Sequence, residues 1–229
     1  MNFLSHLHID GNDDLYHNVG LTIPDVIGFH NRRFRFTEKK LILMHDDPEF
    51  KHLRGFVEGM LKHVRLDARF HRHEIFRECT NNLSTGYTSY SGTELGAFYS
   101  HILFEILIDR TLLLRNPDLA NRFYREYKSF NFSSVVSLFE KYGEFDRDRF
   151  VDFSNLVANS NFLNEYSELT NIRSILHRVA RRVDSPLEIA ISDNSFAEYC
   201  TQMELLISPS VNAVLVEFTD KKSSILFNA

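Results

Sequence analysis

The sequence predicts an all-α fold, a single-domain helical array spanning residues 1–229, and three observations predict it. Apolar residues recur at spacings of three and four through most of the chain, the period of an amphipathic helix rather than the alternation of a strand. Glycine (9) and proline (5) are scarce, which argues against an all-β protein with its frequent turns. A chain of 229 residues with 43% apolar and 25% charged residues suits one globular domain and excludes a disordered one. Phe is abundant (21) and Trp absent, so the expected core is rich in Phe and Leu.

The elements follow in order. The opening MNFLSHLHIDGNDD lacks a basic stretch, and His6, His8 and Asp10 interrupt its apolar residues, so it does not read as a signal peptide. Asp46 or Asp47 followed by Pro48 is helix-start chemistry, a capping carboxylate and then proline at the first helical position. From Asp47 to about Glu78, Phe50, Leu53, Val57, Leu61, Val64 and Ala68 form one apolar stripe and predict a helix. The small, polar Asn81–Gly92 reads as a loop, and Gly92–Arg115, apolar on most sides, as the most buried helix. Helices are predicted over NPDLANRFYREYKSF, SSVVSLFEKY, RDRFVDFSNLVANSNFLNEY and SELTNIRSILHRVARRV, and a helical pair over SPLEIAISDNSFAEYCTQMELL. The tail SVNAVLVEFTDKKSSILFNA reads equally as a last helix or an extended arm.

Composition excludes several functions. A net charge of −5 and a pI near 6.1 lack the electrostatic footprint of a nucleic-acid binder. Two cysteines, Cys79 and Cys200, are too few for a disulfide framework. No apolar run approaches the length of about 18 residues that a membrane span needs. The expected compartment is the reducing cytoplasm.

Histidine placement is the informative signal. Ten of the eleven His lie in residues 1–101, so residues 1–115 are expected to carry a site and 116–229 a helical scaffold. Four segments stand out: His6 and His8 in SHLHID, Asp25 in GLTIPDVIG, His63, Asp67 and His71 in HVRLDARFHRH, and His101 and Glu105 in SHILFEILIDR. Residues four apart on a helix differ by only about 40° and share a face. Taken alone, each such pair is ordinarily a helix-surface hydrogen bond. A His and a carboxylate on an apolar helix, however, must be paired or must hold a cation. Facing helices that each offer such groups are a standard metal site, and imidazole with carboxylate suits Mn, Fe, Zn or Mg. His17, His45, His52 and His73 are expected on the surface. The Glu49-x-x-His52 pair is half of a di-iron signature and is discounted without its second half.

MNFLSHLHI, GLTIPDVIG, HVRLDARFHRHE and the following apolar helix resemble, in order and spacing, the acyl carrier protein phosphodiesterase family. Its members open with M-N-F-L-x-H-L-H, then carry G-N-x-x-x-D-F, H-R-x-I-D-x-x-T-D and an apolar helix with D-x-x-x-D-H. The resemblance covers roughly residues 1–115. It implies an all-helical, HD-domain-like phosphohydrolase that uses a divalent metal to hydrolyse the diester between 4′-phosphopantetheine and a serine of acyl carrier protein. On this resemblance His6, His8, Asp25, His63, Asp67, His101 and Glu105 are the metal-ligand candidates. Asp25, Asp67 and His71 are the candidates for handling the proton and the water. The chain departs from the pattern at three places. His71 replaces the acid of T-D, His101 and Glu105 replace two aspartates, and Ile106 replaces the following histidine.

The basic run HNRRFRFTEKK places Arg32, Arg33 and Arg35 between Asp25 and His63, where they are expected to receive phosphate or an acidic partner such as acyl carrier protein. The expected substrate is acyl carrier protein or another small phosphorylated molecule. The alternative reading is a catalytically inactive helical protein that binds a small ligand or a protein partner, which Ile106 favours.

Overall fold

Side-chain caps open three of the elements, of which the start at Asp47 and Pro48 is the one expected from the sequence. Asn2 accepts from the Phe3 amide at the start of α1 (Phe3–Asp10), Thr37 from the Lys40 amide at the start of α3 (Glu38–Asp46), and Asp47 from the Glu49 amide ahead of Pro48. The computed structural model describes residues 2–30, 34–182 and 191–225. The remaining helices are α2 (Leu15–His30), α4 (Arg54–Phe70), α5 (Glu74–Ser91), α6 (Ala97–Arg115), α7 (Asp118–Ser129), α8 (Val136–Tyr142), α9 (Arg147–Asn159), α10 (Leu169–Arg182) and α11 (Asp193–Ile225). Among the described residues there is no strand, so the fold is the all-α array expected. No helix there is long and apolar enough to cross a membrane.

Three boundaries differ from expectation. The stretch read as one helix from Asp47 to Glu78 is broken twice. Pro48–Leu53 is a tight 3-10 turn with Phe50 out of helical geometry, and the chain turns again between Phe70 and Glu74. The second break comes from His73, whose extended backbone and ring nitrogen, accepting from the Ile75 amide, cap α5. The segment Asn81–Gly92, read as a loop, is helix as far as Ser91. Its hydroxyls satisfy themselves one turn back, Thr85 on the Asn81 carbonyl and Ser91 on that of Tyr87, while Leu83 and Tyr87 go into the core. Gly92, with φ 72°, closes this helix in the left-handed conformation and does not open the next. Finally, the tail is helical, continuous with the second half of the expected pair, from Asp193 to Ile225. Residues 183–190 of the first half lie outside the described residues.

The helices form two compact units, each from two stretches of chain: Met1–Arg69 with Asn116–Asn161, and Phe70–Arg115 with Phe162–Ala229. In the first unit, α7 supports α1 and α2. The Phe3 and Phe123 rings meet edge to face at 5.7 Å, and Thr22 shares a 2.7 Å hydrogen bond with Tyr127. The turn between α1 and α2 is held by Asn18, which bonds both backbone groups of Asn12 and the Glu126 carboxylate. His17, expected on the surface, is 5% exposed and donates to the Asp10 carbonyl. Backbone approaches backbone where α2 meets α4. A Cβ on Gly20 would stand 2.1 Å from the Phe56 carbonyl oxygen, and one on Gly59 2.2 Å from that of His17. Only glycine permits this contact.

In the second unit α6 is buried on most sides, as expected, and packs with α5, α10 and the 3-10 turn Asn164–Ser167. Arg110 joins the Glu204 carboxylate at 2.7 Å and the carbonyls of Tyr166 and Ser167. The Tyr199 hydroxyl donates to the Leu83 carbonyl at 2.6 Å. His73 also donates to Glu217 at 3.1 Å, so this expected surface residue is a cap and a tie between α5 and α11.

Candidate metal centre

Three helices of the first unit bring four side chains together: His6 from α1, Asp25 from α2, and His63 and Asp67 one turn apart on α4. The close Gly20–Gly59 packing lets His63 reach across to α2, where its Nδ1 lies 2.7 Å from the Leu21 carbonyl oxygen. A carbonyl only accepts, so Nδ1 carries the proton. In the neutral ring Nε2 then bears a lone pair. It points at Asp25 Oδ1, 3.6 Å away, and Asp67 Oδ2, 3.7 Å away.

Burial, reinforced by the neighbouring His6, lowers the pKa of His63 to about 3, so the ring is neutral near pH 7. Burial alone would raise the Asp67 carboxyl. It is nevertheless held well below the ordinary carboxylate range by the positive charge around it, with the hydrogen-bonding contact of His6 contributing, and it is ionised. A lone pair facing carboxylate oxygens, with no proton between them, is repulsive as it stands and becomes favourable around a cation.

His6 adds to this. Its ring stacks on His63 with centroids 3.9 Å apart. Its nitrogens are buried: Nε2 stands 3.3 Å from Asp67 Oδ1, and Nδ1 makes no hydrogen bond among the described residues. Leaving such a group unsatisfied costs about 1–3 kcal/mol. Ligand atoms of His6, Asp25 and His63 lie within 4.8 Å of one another. Two imidazole nitrogens with carboxylate oxygens fit a divalent ion of the Mn, Fe or Zn type. A cleft of about 470 Å³ adjoins this cluster, lined by His63, Asp67, Arg35 and the apolar Pro24, Phe34, Phe36 and Val64.

The remaining expected ligands include a second group of their own. His71, His101 and Glu105 form their own cluster within the second unit, with both imidazole Nε2 atoms on Glu105 Oε1 at 3.1 and 2.9 Å. Burial would raise the Glu105 carboxyl, yet the hydrogen bonds of His101 and His71 help to hold it well below its ordinary range. His8 is exposed on α1 and belongs to neither cluster. Two residues of helix turn a side chain by about 200°, away from the face of His6. Ile106 is 1% exposed and belongs to the apolar core. Arg35 is exposed and lines the cleft, while Arg32 and Arg33 lie outside the described residues.

Sequence reasoning missed the groups that hold the site in place. Glycines interrupting two helical patterns were a usable signal for the Gly20–Gly59 contact. The Leu21 carbonyl, a backbone group, leaves no signal in side-chain identity. Nor does the pairing of Thr22 with Tyr127, which are 105 positions apart. Asp109, fully buried one turn after Glu105 on α6, was also passed over.

A family model for acyl carrier protein phosphodiesterase matches residues 1–206, well past the N-terminal segments that carry the motifs and into α11. No curated protein and no solved structure matches the chain. With 206 of its 229 residues covered, the chain belongs to the acyl carrier protein phosphodiesterase family.

Proposed function

We propose that the protein is a metal-dependent phosphodiesterase that releases 4′-phosphopantetheine from acyl carrier protein, working at His6, Asp25, His63 and Asp67. The observation that carries this reading is the His63 lone pair, fixed by the Leu21 carbonyl and aimed between two carboxylates. A divalent cation bound there supplies polarisation of a phosphoryl oxygen and a water of lowered pKa. His63 and His6 would serve as its nitrogen ligands. Asp25 and Asp67 divide between holding the cation and accepting the proton of the attacking water. His71, grouped with His101 and Glu105, has no part in this step. Arg35 offers positive charge to the phosphate within the cleft, and its apolar wall suits the uncharged pantetheine arm. The same basic run, with Arg32 and Arg33, is the docking surface proposed for the acidic carrier protein.

A second reading, binding without turnover, is favoured by the buried Ile106. Elemental analysis of protein purified without chelators, together with release of phosphopantetheine from holo acyl carrier protein, decides between them. Stoichiometric metal and turnover, both lost in Asp67→Ala, support the enzyme. Metal and carrier binding without release support the second reading, and absence of metal from the Asp67 cluster overturns the proposal.

A further inference from the structure

We infer that His71, His101 and Glu105 form a second, independent site for a nitrogen-preferring divalent transition ion of the zinc class, built wholly within the second unit. It stands whether or not the first cluster is catalytic.

The ligand atoms already converge. His71 Nε2 and His101 Nε2 lie 3.1 and 2.9 Å from Glu105 Oε1, and the three residues have ligand atoms within 4.8 Å of one another. Ligands at about 2.0–2.1 Å in a tetrahedral sphere are separated by about 3.3 Å, so only a slight outward movement of the rings would be needed to admit an ion. The two imidazoles are set at 67° with centroids 4.7 Å apart, and both Nε2 atoms meet the same carboxylate oxygen.

Their surroundings hold that aim. Phe76 stands edge-on to both rings, at 4.9 Å from His71 and 5.0 Å from His101, and Phe70 and Phe104 pack behind it. This apolar wall weakens solvent screening on one side of the cluster. On the other side both imidazoles remain 33% exposed, leaving a route for an ion and room for a fourth ligand from solvent. Two imidazoles against a single carboxylate select Zn, Co or Ni over Mg or Ca. His71 lies in the turn between α4 and α5, whereas His101 and Glu105 are one turn apart on α6. A bound ion would therefore clip that turn to α6 and stabilise the folded chain by mass action.

The test is a titration of the chelator-treated full chain with Zn²⁺ by calorimetry and with Co²⁺ by its visible absorption, in wild type, Asp25→Asn/Asp67→Asn, His71→Asn/His101→Asn and Glu105→Gln. Two equivalents of zinc are expected in wild type. One should survive in the Asp25/Asp67 variant, and that one should raise the melting temperature and resist millimolar Mg²⁺. The His71/His101 variant should lose this equivalent, and Glu105→Gln, the mildest change, should weaken it at least about tenfold. Unchanged zinc affinity and stoichiometry in Glu105→Gln overturn the inference, even if the double variant fails to fold. So does absence of any zinc equivalent from the Asp25/Asp67 variant with its fold intact by circular dichroism.

Discussion

His63 Nδ1 donates to the carbonyl oxygen of Leu21 across 2.7 Å, and this one bond fixes which nitrogen of the ring is available to a ligand. The proton is held by α2, so the lone pair belongs to the cluster. A histidine on the same helix face without that carbonyl would be free to turn its N–H toward Asp25 and Asp67 and neutralise the site with an ordinary hydrogen bond.

Replacing His63 by Gln should therefore cost metal more than it costs structure. The expected outcome is at least about a hundredfold weaker binding of Mn²⁺ or Zn²⁺ at this cluster, measured by calorimetry, in a protein with unchanged helical circular dichroism. Undiminished affinity would show that His63 is not a ligand.

The same residue predicts an acid limb in the stability of the metal-free protein. Its folded pKa of about 3 lies below the ordinary 6.5, so between those values the unfolded chain binds a proton that the folded one does not. Stability contributed by the neutral ring is complete above about pH 6.5 and falls as the pH drops toward 3, by up to about 1.4 kcal/mol per pH unit. Urea unfolding of wild type and His63→Gln at several pH values measures this. The variant should show a shallower slope across that window, and equal slopes would refute the assignment.

Gly20→Ala and Gly59→Ala should each destabilise the first unit, because the added methyl falls 2.1 and 2.2 Å from carbonyl oxygens of the facing helix. Separating α2 from α4 costs about 1–3 kcal/mol and lengthens the His63–Leu21 bond. Thermal melts should show the loss in both variants, and metal affinity should fall with it. Gly28→Ala is the control, since a Cβ there meets nothing within 4 Å.

Arg35 lines the cleft without touching the cluster's ligand set, so Arg35→Ala should act on substrate more than on chemistry. About a tenfold rise in KM for holo acyl carrier protein, with kcat within about twofold, is the expected split. An unchanged KM would remove Arg35 from the substrate contact.

The residues that carry chemistry were legible because helical spacing is local. His63 with Asp67 and His101 with Glu105 follow from a count of four, and the capped start at Asp47 and Pro48 follows from residue type. Separating the set into two clusters was not legible. It depends on which helices pack together, and the spacing that joined His71 to His63 and Asp67 in the sequence is interrupted at Phe70 by the cap of His73. The misread Asn81–Gly92 has a similar cause. Serine and threonine favour turns until their hydroxyls find carbonyls within the helix, and burial of Leu83 and Tyr87 outweighs their weak preference.

The interleaving of the two units reaches as far as translation. The chain leaves the first unit after Arg69 and returns at Asn116, and its share ends only at Asn161, about ninety residues later. At about 5–20 residues per second, a ribosome takes roughly 5–20 s to supply the missing half. During that interval α1 and α2 await the Phe123 and Tyr127 contacts that support them. The nascent protein is then in greatest need of a chaperone, and a gene truncated after Arg115 would encode every residue of both clusters but only part of the helical support of each unit.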